Sequence, residues 1–424
     1  MANALITSTV VTNEVLRIAH NASVFLGNMN TDYDEAWNGQ YKPGSTLKAR
    51  GPVQFTHRSG ETANIQDVTE RSVDVTLQPL LGLDFAIGST ELASSVGSNG
   101  NVSSEFKTRY LQPAGLKLAA MLDFNIGSIM KNGAHQIVGT PGTPPASITD
   151  ILNAQVPLDR MSVPRDGRRV AAIEPGANAS VVAGLATLFN NQQMLGDQYK
   201  TGVLKTGLGL DFAMSQNVPT HTVGPLGGTP LVNGANQGLI NAGATDNPYG
   251  ATTSLVTDGW TAAAAARLAA GDTFTIAGVF SVNPETKQST GVLQSFLVTA
   301  AVSSDGAGNA TVIVSPAIIA GGAYQNVTAR PADNAALTIT SGTANTAYTQ
   351  NLIWHKDAVT FVSPKQELPG GMDMAYQASL ADDGGVTLRF VRGYDITNNR
   401  FISRFDILWG AAVTLPNFIV RRTN

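Results

Sequence analysis

Residues 271–318 alternate between apolar and polar side chains over several short segments. Phe274 and Ile276 are separated by a single threonine, and Val312 and Val314 repeat the same spacing. Such alternation places one set of side chains on one face of a strand, as a half-buried sheet requires. Asn-Pro and Asp-Gly pairs between the segments are typical of turns. The stretch therefore predicts an all-β body, and it contains no residue set that suggests catalysis.

The composition favours a protein with many turns and little exposed charge. Charged residues make up 14% of the 424 residues, against roughly 25% in average soluble domains. The net charge of −4 excludes a strongly basic nucleic-acid-binding character for the chain as a whole. Weak charge together with 43 glycines fits two kinds of protein: an extended β-rich surface protein, or a subunit largely covered by neighbours.

The chain has no cysteines, which excludes disulfides and thiolate metal sites. The first 27 residues have no basic residue before Arg17, and threonines interrupt their apolar run, so we expect no signal peptide. A membrane span is also not expected, because no run of about 18 apolar residues occurs. These features predict a soluble, cytosolic chain.

Residues 46–56 and 65–78 read as two strands of a long β-arm. The polar tip between them contains His57, Arg58 and Glu61. Such an arm is longer than a small core could hold. We therefore expect it to contact another molecule.

Two helical patterns in the N-terminal part are also unusual. Residues 5–27 form a plausible amphipathic helix with few partners, which we expect to dock on something else. Residues 103–133 form the longest helical pattern, with Pro113 inside it and Gly133 at its end. The apolar residues at helical spacing in this segment are Phe106, Tyr110, Leu116, Ala120, Phe124 and Ile129. A helix of this length is long for a compact enzyme domain.

The search for catalytic and metal-binding motifs is negative. The sequence contains no G-x-S-x-G, H-E-x-x-H or P-loop motif. Its five histidines are scattered, which favours hydrogen-bonded or surface roles over metal binding. The loop around Asp305 reads as a hairpin turn rather than a calcium site. The basic cluster 165–169 reads mainly as a solvated turn, with contact to phosphate or to an acidic neighbour as the minority alternative. We predict no catalytic, cofactor-binding or metal site, and hence no enzyme.

Four segments together resemble the coat proteins of tailed bacteriophages, of the short-tailed enterobacterial type. They are GDTFTIAGVFSVNPETKQSTGVLQSFLV (271–298), FAMSQNVPTHTVG (212–224), NLIWHKDAVTFVSP (351–364) and YDITNNRFISRFDILWGAAVTLPNFIVR (394–421). The order of elements agrees across essentially the whole chain. The resemblance implies an α+β major capsid fold that carries an inserted all-β barrel domain.

The resemblance also assigns parts of the chain. They are an N-terminal arm (1–45), an E-loop β-arm (46–80), a peripheral domain (81–164) with its spine helix (103–133), an axial domain (165–222 and 346–385), an inserted barrel (223–345), and return strands of the peripheral domain (386–424). The pattern analysis independently requires an arm, an overlong hairpin and an overlong helix. A shell subunit supplies the external contacts that these need.

The function implied by the resemblance is a major capsid protein. Pentamers and hexamers would form an icosahedral shell, with T=7 expected, around double-stranded DNA that is contacted without sequence specificity. Scaffolding protein and portal would be partners during assembly in the bacterial cytoplasm, and decoration or head-completion proteins could join later. Two alternatives stay open: a phage-derived nanocompartment shell, and a secreted β-rich adhesin or surface protein.

Five residues are predicted to contact neighbouring subunits. Four belong to the E-loop, and Asp246 lies in a loop of the inserted domain; the E-loop residues are His57, Arg58, Glu61 and Arg71. Replacing Arg58 and Arg71 together by glutamate should impair assembly more than folding of the monomer. Covalent crosslinking through Lys42 or Lys48 is not expected, because no residue pattern provides an asparagine or a carboxylate partner.

Overall fold

The computed structural model describes residues 8–31, 43–63, 65, 71–88, 104–185, 207–241, 251–369, 374–379 and 385–424. These residues form an α+β protein, as predicted, and strands outnumber helices. The chain divides into two compact units. The first unit takes residues 1–49, 74–126 and 360–412, and the second takes residues 50–73, 127–359 and 413–424.

The helices described are α1 (Ser8–Ala22), α2 (Gln112–Gly133), α3 (Ile148–Arg160) and α4 (Pro175–Leu185). A helical turn at Ser104–Phe106 and a π-helical segment at Lys107–Leu111 lead into α2. Short 3-10 turns lie at Leu26–Asn28, Lys356–Ala358 and Pro416–Phe418.

The strands described are β1 (Thr46–Gly51), β2 (Arg71–Thr76), β3 (Leu81–Gly88), β4 (Gln136–Val138), β5 (Arg169–Ile173), β6 (Asp211–Met214), β7 (Thr220–Thr222), β8 (Gly228–Val232), β9 (Leu239–Asn241), β10 (Thr253–Trp260), β11 (Ala265–Leu268), β12 (Thr273–Val282), β13 (Ser289–Val298), β14 (Val302–Ser304), β15 (Ala310–Ser315), β16 (Ile319–Gly321), β17 (Leu337–Ile339), β18 (Ala347–His355), β19 (Val359–Val362), β20 (Met374–Ser379), β21 (Thr387–Asp395), β22 (Arg400–Ile407), β23 (Gly410–Val413) and β24 (Ile419–Thr423).

The first unit is built on an antiparallel sheet with the order β20-β21-β22-β3. α1 packs against β20 and β21 and buries Val11, Val15 and Leu16. The expectation that this helix docks on something else needs a correction, because its apolar face is covered by a sheet of its own chain.

The predicted spine helix is irregular in front of Pro113. The N–H of Gln112 donates to the carbonyl of Lys107, five residues earlier, which closes the π-helical segment. Proline lacks an N–H and its ring clashes with the carbonyl four residues before it, so a wider turn at this point relieves the conflict. The helix then continues to Gly133, where its end was predicted.

The second unit contains a mixed sheet with the order β4-β24-β18-β5-β6. Residues of α3 and α4 pack with it in one apolar cluster that includes Leu158, Ile173 and Val181. α3 has no counterpart among the helices expected from the sequence. Its beginning is marked by a capping box, in which Ser147 Oγ accepts from the N–H of Asp150 and the Asp150 carboxylate accepts from the N–H of Ser147.

A second large sheet in the same unit has the order β17-β12-β13-β15-β10-β8. We call residues 228–339 the β module. Its core is formed by side chains that the alternating pattern placed on inward faces, and the fully buried ones include Phe274, Ile276, Phe296, Val298, Val312 and Val314. The prediction of strands in this stretch is confirmed. The domain boundaries implied by the resemblance stay predictions.

Candidate functional site

Residues 52–63 and 65 continue the two-stranded sheet β1-β2 as an extended segment, which we call the arm. Phe55 is 60% exposed and Ile65 is 91% exposed. The first predicted strand (46–56) is too long, because β1 ends at Gly51 and residues 52–56 belong to no strand. Of the second (65–78), the structure describes a strand at Arg71–Thr76, and residues 66–70 lie outside the described residues. The arm therefore presents apolar side chains to solvent.

The predicted contact residues fall on this arm and near it. His57, Arg58 and Glu61 are all exposed. The Arg58 guanidinium donates to the backbone carbonyls of Gly60 and Thr62, so it closes the tip of the arm on itself. Arg71 is the first residue of β2.

Asp246, the fifth predicted contact residue, lies outside the described residues, as does Lys42. Lys48 is exposed on β1. None of these three positions belongs to the arm.

α2 has one buried and one exposed apolar face. Leu118, Leu122 and Ile126 are buried. Leu116 is 46% exposed and Phe124 is 55% exposed. The apolar residues predicted at helical spacing in 103–133 differ in their exposure. Phe106 is buried, whereas Tyr110, Leu116 and Phe124 are exposed. The exposed face also includes Met121 and is an apolar surface that the described residues leave uncovered.

A buried carboxylate lies where the chain enters and leaves the β module. Asp272 Oδ1 is 2.8 Å from His221 Nε2 and accepts from Ser341 Oγ at 2.9 Å. Its Oδ2 accepts from the N–H of Gly224 at 3.1 Å and of Ala269 at 2.8 Å. Because a carboxylate only accepts, His221 carries its proton on Nε2. The four contacts use all the acceptor positions of Asp272.

Electrostatics keep Asp272 ionised. Burial raises its pKa, but the hydrogen bonds from His221, Ala269 and Gly224 outweigh burial, and the pKa lies below the usual aspartate value. Burial lowers the pKa of Arg421 to about 10, against the attraction of Asp272. Arg421 therefore remains a cation, and its Nη1 donates to the carbonyl of Gly271 at 2.9 Å.

His135, directly after α2, behaves differently. It is fully buried, and burial together with the charge of Arg421 lowers its pKa to about 3. The imidazole is therefore neutral at physiological pH.

The basic cluster 165–169 is paired with acidic neighbours. Arg165 and Arg169 both contact Asp159, and Arg168 contacts Asp357 at 2.9 Å. Pairing with acidic residues was the minority alternative in the sequence analysis, which favoured a solvated turn. Most of these charges are surface ion pairs, which contribute little to stability.

Among the residues that the structure describes, no group of three or more His, Asp or Glu side chains is arranged to hold a metal ion. Within the same residues, no helix is both long and apolar enough to cross a membrane. Asp305 accepts from the N–H of Ala307 and Asn309, which is the geometry of the predicted turn.

An extended arm with exposed apolar side chains and a helix with an uncovered apolar face are typical of a subunit that completes its packing in an assembly. The sequence model of a family described as "P22 coat protein - gene protein 5" matches residues 2–420. The chain belongs to this family. It is a bacteriophage coat protein that assembles with copies of itself into the shell of the virion. Membership favours this function over a compartment shell or an adhesin.

Several solved structures are similar to the chain. A structure from Mycobacterium phage Che8 is 12% identical, with 94% of this chain and 90% of that chain covered and a TM-score of 0.44. The capsid of cyanophage P-SCSP1u is 13% identical, with 94% and 86% covered and a TM-score of 0.40. The CUS-3 coat protein I-domain is 31% identical, with 27% and 96% covered and a TM-score of 0.20. No curated protein matches the chain.

Proposed function

We propose that the shell is held together by the arm, which lies on the exposed face of α2 in a neighbouring copy. The observation that supports this proposal is the pair of uncovered apolar surfaces in one chain: Phe55 and Ile65 on the arm, and Leu116 and Phe124 on α2. Each of these apolar surfaces needs a partner surface that removes it from contact with water. In an assembly of identical subunits, each can be the partner of the other.

The energetics fit a reversible assembly. Burying one large apolar side chain contributes about 1.5–3 kcal/mol, so a single arm contact is weak. Every subunit gives one arm and receives another, and a closed shell multiplies these contacts. The low charge of the chain is consistent with this, because interface cores are depleted in charge.

The polar residues of the arm take a supporting role in the proposal. Arg58 stiffens the tip through its bonds to backbone carbonyls, while His57 and Glu61 form a polar rim around the apolar contact. Arg71 and Asp246 remain proposed contacts with neighbouring subunits.

The finer assignments extend the same proposal. The β module with its flanks forms an inserted domain (223–345), which is supported by the side-by-side pairing of β7 with the beginning of β18. The shell has T=7 symmetry and encloses double-stranded DNA without sequence readout. It assembles in the bacterial cytoplasm with scaffolding protein and portal. Head-completion or decoration proteins join later. The coat protein performs no catalysis.

The test replaces both apolar residues of the arm by Phe55→Ser and Ile65→Ser in one variant. Because both side chains are exposed in the isolated chain, the free energy of unfolding of the monomer should change little. Assembly should fall at least about tenfold, since more than 1.4 kcal/mol of contact energy is lost. Sedimentation and electron microscopy of the variant with its scaffolding protein measure this.

The matched control is Ile396→Ser, which removes a side chain that is 84% exposed on the turn between β21 and β22. It should assemble like the wild type. Closed shells formed at normal yield by the arm variant would refute the proposed contact.

A further inference from the structure

The β module is joined to the rest of its unit by two chain segments that lie side by side. β7, where the chain enters the β module, pairs antiparallel with the first residues of β18, where the chain leaves it. His221 lies opposite Tyr348 in this pairing. We call residues 219–224 and 341–349 the neck. Because the two segments lie side by side, a contact made at the neck restrains the chain both where it enters the β module and where it leaves it.

Asp272 binds to both sides of the neck. It accepts hydrogen bonds from His221 and Gly224 on the entering segment and from Ser341 on the leaving segment. Asp272 itself belongs to the loop before β12, within the β module. One buried carboxylate therefore ties the module to both segments of its neck.

The end of α2 and the last strand reach the same place. Lys131 Nζ donates to the carbonyl of Thr220 at 3.3 Å, and Arg421 donates to the carbonyl of Gly271. Gly271 has a φ of +98°, and a Cβ there would lie 3.1 Å from the His221 ring and 3.2 Å from Asn132 Oδ1. The positive φ favours glycine at this position, and an added Cβ would also be tight against both neighbours.

Elsewhere, the packing between the module and the rest of the unit is open. A crevice of about 210 Å³ is lined by Val282 and Tyr324 of the module and by Phe418. Another crevice, of about 360 Å³, lies between Val292 and Val156. Both crevices are open to solvent, so the module and the rest of the unit are not in continuous contact there.

We propose that Asp272, His221, Ser341 and Arg421 form a latch that fixes the orientation of the β module relative to the end of α2 and to β24. Opening the latch releases the module as a folded body, because its apolar core contains none of these four residues. Asn283 makes a second, exposed contact between the β module and the rest of the unit. Its side-chain Nδ2 donates to the carbonyl of Arg160 and to Ser162 Oγ. The inference concerns the isolated chain and does not depend on how shells assemble.

The test is hydrogen exchange, followed by mass spectrometry, on the full-length monomer carrying Asp272→Ala. Removing the carboxylate leaves the N–H groups of Gly224 and Ala269 without their acceptor. Exchange in peptides that cover residues 219–224, 269–271 and 341–346 should become at least about tenfold faster. Exchange of β15 in the module core should stay unchanged.

Two further variants keep the test informative if Asp272→Ala folds poorly. Ser341→Ala removes one donor and should give a smaller increase, confined to the neck. Asp272→Asn should exchange nearly as slowly as the wild type, because its amide can donate to His221 and Ser341 once both act as acceptors. Asp305→Ala, an aspartate bound only within its own turn, is the control and should leave neck exchange unchanged.

The latch would be disproved in either of two ways. Neck exchange at the wild-type rate in both Asp272→Ala and Ser341→Ala would mean that the carboxylate does not hold the two neck segments. Equal acceleration of exchange in β15 and in the neck would make Asp272 part of the module's own folding core.

Discussion

At the scale of single residues, His135 makes stability depend on pH. Its folded-state pKa of about 3 lies below the ordinary histidine value of 6.5, so between these values the unfolded chain binds a proton that the folded chain does not. Stability therefore falls as the pH drops below about 6.5, by at most about 1.4 kcal/mol per pH unit. The charge of Arg421 favours the same neutral imidazole.

The prediction is that wild-type protein loses about 2 kcal/mol more free energy of unfolding than His135→Gln between pH 7 and pH 5. Urea denaturation at both pH values measures the difference. His57→Gln, which changes an exposed histidine, should behave as wild type. Equal losses in wild type and His135→Gln would contradict the buried neutral imidazole.

Residue-scale prediction from the sequence succeeded where the signal was local. Phe274, Phe296 and Val312 each share a spacing of two with another apolar residue of the same strand, and all three are fully buried. Asp272 and His221 were missed as a pair because they lie 51 positions apart. No spacing rule connects them, and only the fold brings them together.

At the scale of elements, α3 depends on its N-terminal cap. Ser147→Ala removes the acceptor for the N–H of Asp150 and should lower the free energy of unfolding by about 1 kcal/mol. Ser180→Ala is a matched control, because that serine lies inside α4 and bonds to the carbonyl of Gly176, where alanine is a better helix former. Chemical denaturation compares the two variants. A loss as large in Ser180→Ala as in Ser147→Ala would contradict the capping role.

The N-terminal cap of α3 is a feature that could have been predicted from the sequence. Ser147 and Asp150 have the spacing of a capping box, a signal in the sequence from which α3 was not predicted. In α2, helical spacing predicted the helix but not which apolar residues face the core. Leu116 and Phe124 have the same local pattern as buried residues, so the sequence alone could not show that they are exposed.

At the scale of the whole molecule, length, low charge and the long elements indicated a subunit of an assembly. The α+β class and the coat protein function, both expected from the resemblance, are confirmed. Contacts between copies could not be derived with the same certainty, because a single chain records only which surfaces remain uncovered. The arm and the exposed face of α2 are two such surfaces among the residues that the structure describes.

The absence of natural cysteines allows a direct test of this contact. Three double variants carry Phe55→Cys together with Leu116→Cys, Met121→Cys or Phe124→Cys, and assembled shells are oxidised and analysed on a denaturing gel without reductant. At least one pair should yield a ladder of linked chains longer than dimers, since each copy gives one arm and receives another, while single-cysteine controls stop at dimers. Well-formed shells in which no pair links neighbouring chains would contradict the proposed arm contact.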